Sequence, residues 1–211
     1  MRSFWKLILK VALWVGGIAL VAFGVLRLFF MDLVVMGHDG MAPTLIAGDE
    51  VFMWRGADDA EMGDIVVCNH PTNAGQMVMG RVLGKSNMAV RTNRGNLEVS
   101  GTRAERDIIE SLTFHSLDIN RGIRVTLSQD SLGNFSHWAF WPENPLRIRE
   151  TQIPANSYYL LGDNRTSHAN DSRTFGTIQA AQCVGTLFMR MKPAENARGV
   201  TVDRGWLQIL D

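Results

Sequence analysis

Residues Gly48 to Cys68 read GDEVFMWRGADDAEMGDIVVC. The stretch holds two short apolar runs, Glu50 to Trp54 and Asp64 to Cys68, each led in by a Gly-Asp pair. Five-residue runs rich in Val, Ile and aromatics, bounded by Gly and Asp, read as strands joined by turns. The same pattern recurs at Gln76 to Met79 with Arg81 to Leu83, and at Ile123 to Leu127. It recurs again at Ser157 to Leu161 and Cys183 to Met189. Beyond the N-terminal segment, Thr102 to Ser111 alone offers a helical period. The expected fold is therefore mostly β, a curled sheet or partial barrel. Between residues 100 and 150 the pattern weakens around His137, Trp138, Phe140, Trp141 and Pro142, which predicts an insertion or a second small β region.

Upstream of these strands the composition changes. Val11 to Leu26 carries no charge, and beyond Arg27 the apolar run continues through Leu28, Phe29, Phe30 and Met31. Roughly 20 helical residues cross a hydrocarbon core about 30 Å thick, and this run supplies them. Arg2, Lys6 and Lys10 precede it, which puts the N-terminus in the cytoplasm and the following domain outside. A cleavable signal peptide has the same basic start and apolar core, but this run is long and no small-x-small site follows it. The organisation expected is an anchor over residues 1–36, an exoplasmic, periplasmic-type β domain over 37–191 and a C-terminal tail over 192–211.

Charge excludes one function class. Lys and Arg together number 21 and so do Asp and Glu, so no basic field is available for nucleic acid. The two cysteines, Cys68 and Cys183, match no metal-ligand spacing. They are expected as buried free thiols, although they are able to pair if their Cα atoms lie within about 7 Å. No motif implies a metal or a cofactor.

Three further segments stand in order after the apolar run. The first is Gly40-Met41-Ala42-Pro43-Thr44-Leu45-Ile46-Ala47-Gly48-Asp49. The second is Met62-Gly63-Asp64-Ile65-Val66-Val67, followed by Gly80-Arg81-Val82-Leu83-Gly84. The third is Gly162-Asp163-Asn164-Arg165, then Asp171-Ser172-Arg173 and Phe175-Gly176. Read locally, Pro43 holds φ and favours an extended Ala42. Gly162 to Asn164 suits a tight turn with positive φ. Asp171 and Arg173, two apart on a strand, would share a face and pair.

Taken together, the segments resemble bacterial signal peptidase I. That family carries Ser-Met-x-Pro-Thr-Leu-x-x-Gly-Asp, Gly-Asp-Ile-Val-Val, Lys-Arg-Val-x-Gly and Gly-Asp-Asn-Arg…Asp-Ser-Arg-x-x-Gly. The resemblance implies a serine endopeptidase acting on the signal peptides of exported preproteins at the inner membrane, during protein secretion. Its partners would be signal-peptide segments and membrane lipid, with an active signal peptidase or the translocon as a further partner. Such an enzyme uses a serine nucleophile and a neutral lysine base in contact with it.

Carried over residue by residue, the nucleophile position is Gly40 and the base position is Gly80. Neither has a side chain. Arg81 is no substitute base, since guanidinium stays protonated in proteins, and Lys85 has the wrong parity along the strand. His38 stands where many relatives have a small hydroxyl residue, and Lys85-Ser86-Asn87 replaces Pro-Gly-Asp. The gap from Thr166 to Asn170 is one residue longer than usual, so Ser167 is not assigned as the hydroxyl that flanks the lysine. Thr44 belongs to the turn, and His38-Asp39 reads as a solvated loop. The motif residues retained are Met41, Pro43, Arg81, Gly162, Asp163, Asn164, Arg165, Asp171, Ser172 and Arg173. Three readings stand. The first is an inactive relative (a pseudoenzyme) that binds preproteins. The second is an active peptidase with a displaced nucleophile or base, and the third is a membrane-tethered structural domain.

Overall fold

The computed structural model describes residues 2–57, 59–167 and 170–210. It divides into two units, Met1–Asp32 and Leu33–Asp211. In the first, helix α1 spans Arg2–Phe29, and Phe4–Phe29 is long and apolar enough to cross a membrane. Its apolar side chains are exposed all round, which suits a lipid surround and not a packed interior.

Strands dominate the chain after α1. They are β1 (Met31–Val35), β2 (Glu50–Arg55), β3 (Ile65–Asn69), β4 (Met77–Gly84), β5 (Ala89–Asn93), β6 (Asn96–Val99), β7 (Thr102–Arg103) and β8 (Glu105–Ser116). After these come β9 (Arg121–Leu132), β10 (Phe135–Trp141), β11 (Thr151–Gln152), β12 (Ser157–Leu161), β13 (Ile178–Gln179), β14 (Cys183–Lys192) and β15 (Gln208–Ile209). One short helix, α2 (Ser172–Phe175), lies between β12 and β13. The main sheet runs β1-β2-β14-β3-β4-β12-β13, with β15 added to β14. A three-stranded sheet, β10-β9-β8, and a four-stranded one, β11-β5-β6-β7, complete the mostly β architecture.

Burial explains the order. Every residue of β12 (SYYLL) is buried, as expected for a strand covered on both faces. One apolar cluster draws Leu83, Val90, Leu132, Trp141 and Leu161 from all three sheets. A second joins Ala42 and Ile46 to Phe114, Leu127, Phe140 and Val200.

Several local expectations are corrected. Thr102 to Ser111 is not helical; it forms β7 and the start of β8, which pairs with β9 from Glu105↔Ser131 to Ser116↔Arg121. Long cross-strand pairing overrides a weak local period. Residues 40–44 are a turn, not an extended segment, and Leu45 N–H donates to the Met41 carbonyl at 2.9 Å. Cys68 and Cys183 are not free thiols but a disulfide. They face each other in the β3–β14 register, so a contact that sequence distance hides (115 residues) is made by strand pairing.

Candidate functional site

The end of β12 is where the motif residues gather. Arg81 of β4 pairs with Leu161, and Gly162 follows. A Cβ on Gly162 would lie 2.5 Å from the Gly40 carbonyl oxygen, inside contact distance. Close approach therefore requires this glycine. It is not among the positive-φ residues, so the turn conformation expected from sequence is not its reason. Asn164 fastens the same loop: its backbone N–H donates to Gly40 O and its Nδ2 to Asp39 O, each at 3.1 Å. Its Oδ1 in turn accepts from the Thr166 N–H at 3.2 Å, an Asx-type turn.

Both glycines border this strand end, and a side chain at either would meet a neighbour. A Cβ on Gly80 would stand 2.9 Å from Leu160 Cβ and 3.4 Å from Leu161 N. A Cβ on Gly40 would stand 3.0 Å from Nδ1 of His38. That ring atom also accepts the Gly40 N–H at 3.1 Å. The amide at position 40 is thus already used within the loop. His38-Asp39 is not the solvated loop expected from sequence: Asp39 is fully buried. Its carboxylate accepts from Ala47 N, Leu117 N and Arg198.

Beneath the loop lies a buried ion pair. Arg81 donates from Nε to Asp163 Oδ1 at 3.0 Å and from NH2 to Oδ2 at 2.8 Å, both residues being fully buried. Its third donor group reaches the Gly63 carbonyl at 2.6 Å. Thr44 Oγ1 donates to Asp163 Oδ2 at 2.5 Å, so this hydroxyl is committed to the scaffold. Burial, the largest single influence, would raise the Asp163 carboxyl, but the Arg81 charge and hydrogen bonds together with His137 and Arg165 outweigh it and hold the group below the ordinary range. Arg165, also buried, donates to the Gly162 carbonyl at 2.7 Å. Met41 and Pro43 are buried in the turn itself.

His137 on β10 completes this layer, and sequence alone did not single out its role. Arg165 NH2 lies 2.8 Å from its Nε2, which must then accept, leaving the proton on Nδ1. Burial first, then the Arg81 charge, push its pKa well below 6.5, so the ring is neutral near pH 7. The sign of the linkage follows. An unfolded chain binds a proton here below about pH 6.5 and the folded one does not, so stability is complete above that value. As pH falls from there toward the depressed folded value, stability is expected to drop by up to about 1.4 kcal/mol per pH unit. Urea unfolding at pH 5 and pH 7 measures the loss, and His137→Gln should remove this group's share of it.

The last motif is arranged differently from the strand expected. Asp171 is the N-cap of α2, accepting from Arg173 N at 3.0 Å. It still pairs with Arg173, at 2.7 Å. Arg173 also donates to the Arg165 carbonyl at 2.7 Å and to Ser167 O. Ser172 Oγ accepts from Leu160 N at 2.8 Å, bracing the residue that closes position 80. Ser167 N–H donates to Asn164 O; His168 and Ala169, the centre of the lengthened gap, lie outside the described residues. Lys85 pairs with Glu61 at 2.9 Å. A cleft of about 540 Å³ opens beside Asn164, lined also by Asp118, Arg121, Glu143, Thr166 and Ser167.

Comparison with known proteins gives a consistent family. A family model described as signal peptidase, peptidase S26, matches residues 8–192. Signal peptidase I of Pseudomonas aeruginosa is 29% identical over 170 residues, covering 71% of this chain and 57% of that protein. The chain thus spans little more than half of that relative's length. Signal peptidase IB of Staphylococcus aureus is 28% identical over 186 residues, covering 85% of this chain and 88% of that protein. A crystal structure of a signal peptidase I from Enterococcus faecalis aligns at 22% identity over 61% of this chain and 97% of that chain. Its TM-score of 0.37 is too low to bear on the fold.

Proposed function

The chain belongs to the signal peptidase S26 family, matched over residues 8–192, and on that premise we propose that it binds preproteins at the membrane without cleaving them. One observation carries this reading: Gly40 and Gly80 lack side chains, and a Cβ at either would meet a neighbour, the His38 ring at 3.0 Å and Leu160 Cβ at 2.9 Å. Without Oγ at position 40 no acyl intermediate forms, and without an amine at position 80 nothing takes the proton. The Gly40 N–H, a natural donor to a developing oxyanion, is engaged by His38. The retained Arg81–Asp163 and Asp171–Arg173 pairs support a scaffold kept for binding.

The bound species is the signal-peptide segment of an exported preprotein, as an extended chain that adds to a sheet edge through its backbone. Helix α1 anchors the domain in the inner membrane, with Arg2, Lys6 and Lys10 inside and the β domain outside. The Cys68–Cys183 disulfide supports that side of the membrane, since such bonds persist in oxidising compartments. Crosslinking tests binding. A photoreactive signal peptide ending in Ala-x-Ala is incubated with the detergent-solubilised full chain, and mass spectrometry reads the adduct. An adduct carrying the intact peptide, competed away by unlabelled peptide, is expected. No adduct, or one carrying a trimmed peptide, would overturn the reading.

A further inference from the structure

The C-terminal segment beyond the family match has no part in the reading above, yet it contacts the loop around Gly40 at both ends. Asp39 and Asp49 bracket that loop, and both are fully buried. At the first, the Arg198 guanidinium lies 2.8 Å from each Asp39 carboxylate oxygen. Arg198 also donates to the Ala47 carbonyl at 3.1 Å, reaching across the loop. At the second, Asp49 accepts from Ala194 N at 2.7 Å and pairs with Arg204 and with Arg190 of β14. Between these points Ala194, Val200 and Val202 pack with Ala42 and Ile46. β15 then returns the chain to β14 through Met189↔Ile209 and Arg190↔Gln208.

Fixing one loop at both ends with buried charge goes beyond covering an apolar surface. An exposed pair would contribute little. A buried one holds a geometry, because leaving either partner alone is costly. We infer that residues 193–210 form a strap that locks the 38–49 loop, with Arg198 as the positioning residue that keeps His38 and Gly40 in their closed arrangement. The inference concerns motion of the loop and is tested without any peptide, so its fate is separate from that of the binding reading.

Hydrogen exchange of the full chain in detergent tests it. In Arg198→Ala, amides of residues 39–47 are expected to exchange at least about ten-fold faster, while β3, β4 and β12 keep their protection. Thr201→Ala, which removes only an exposed bond to Glu110, should leave the loop unchanged. If Arg198→Ala does not fold, Arg198→Lys decides. An ammonium cannot reach both Asp39 oxygens and Ala47 at once, so about three-fold faster exchange in the same segment is expected. Unchanged loop exchange in the variant that folds, or an increase spread equally over the strands, would overturn the strap.

Discussion

Arg81→Ala is expected to cost the β domain about 3–5 kcal/mol, because it strands a carboxylate that water cannot reach. Asp163 would keep the Thr44 hydroxyl, but it would lose both guanidinium bonds, at 3.0 and 2.8 Å. The Gly63 carbonyl would lose its partner as well. Against a typical domain stability of about 5–15 kcal/mol, a loss of that size removes a fifth or more of the margin. Removing both charges together should cost less than the sum of the single changes, since no charge is left unpaired. Urea midpoints for Arg81→Ala, Asp163→Ala and the double variant test this. A single Arg81→Ala change within about 1 kcal/mol of the parent would show that the pair does not hold the layer under the loop.

The second large effect concerns restoration. Gly40→Ser with Gly80→Lys supplies both reacting groups by name, yet it is expected to yield no cleavage. The difficulty is steric and lies mainly at position 80, where the new Cβ would sit 2.9 Å from Leu160 Cβ. That atom is fixed to the backbone of β12, whose Leu160 N–H is in turn held by Ser172. The strand must shift, at a cost of about 1–3 kcal/mol typical of overpacking. Position 40 is more forgiving, because the opposing group is a half-buried His38 ring that is able to turn aside. Gly40→Ser alone should therefore fold like the parent, and Gly80→Lys alone should not. Thermal unfolding of the two single variants separates them. Equal stability of both, with turnover by the double variant, would show that position 80 is open.

The strands, the apolar helix and the order of the motifs were legible because each is a local pattern. Short apolar runs mark β2, β3, β12 and β14, the first three with a Gly-Asp turn beside them. What sequence missed depends on distant pairs. Arg198 meets Asp39 across 159 residues, and no spacing rule links them. Cys68 and Cys183 looked like separate thiols until strand pairing brought them opposite each other. Gly162 was read for its turn conformation, when the constraint is the Gly40 carbonyl against it. The glycines at positions 40 and 80 are visible in the sequence itself. That a Cβ there would meet the His38 ring at 3.0 Å or Leu160 Cβ at 2.9 Å follows only from the fold. One signal was present: an imidazole two residues before Gly40 is large enough to reach back over it.

Incubating the purified, unmodified chain in detergent with a preprotein that ends its signal peptide in Ala-x-Ala tests the central claim most directly. Intact-mass spectrometry over hours should find the preprotein uncut, at the level of the buffer control, while a Staphylococcus aureus signal peptidase IB control releases the mature protein. Cleavage by this chain at the Ala-x-Ala boundary would contradict the account, and would mean that a nucleophile other than residue 40 performs the chemistry.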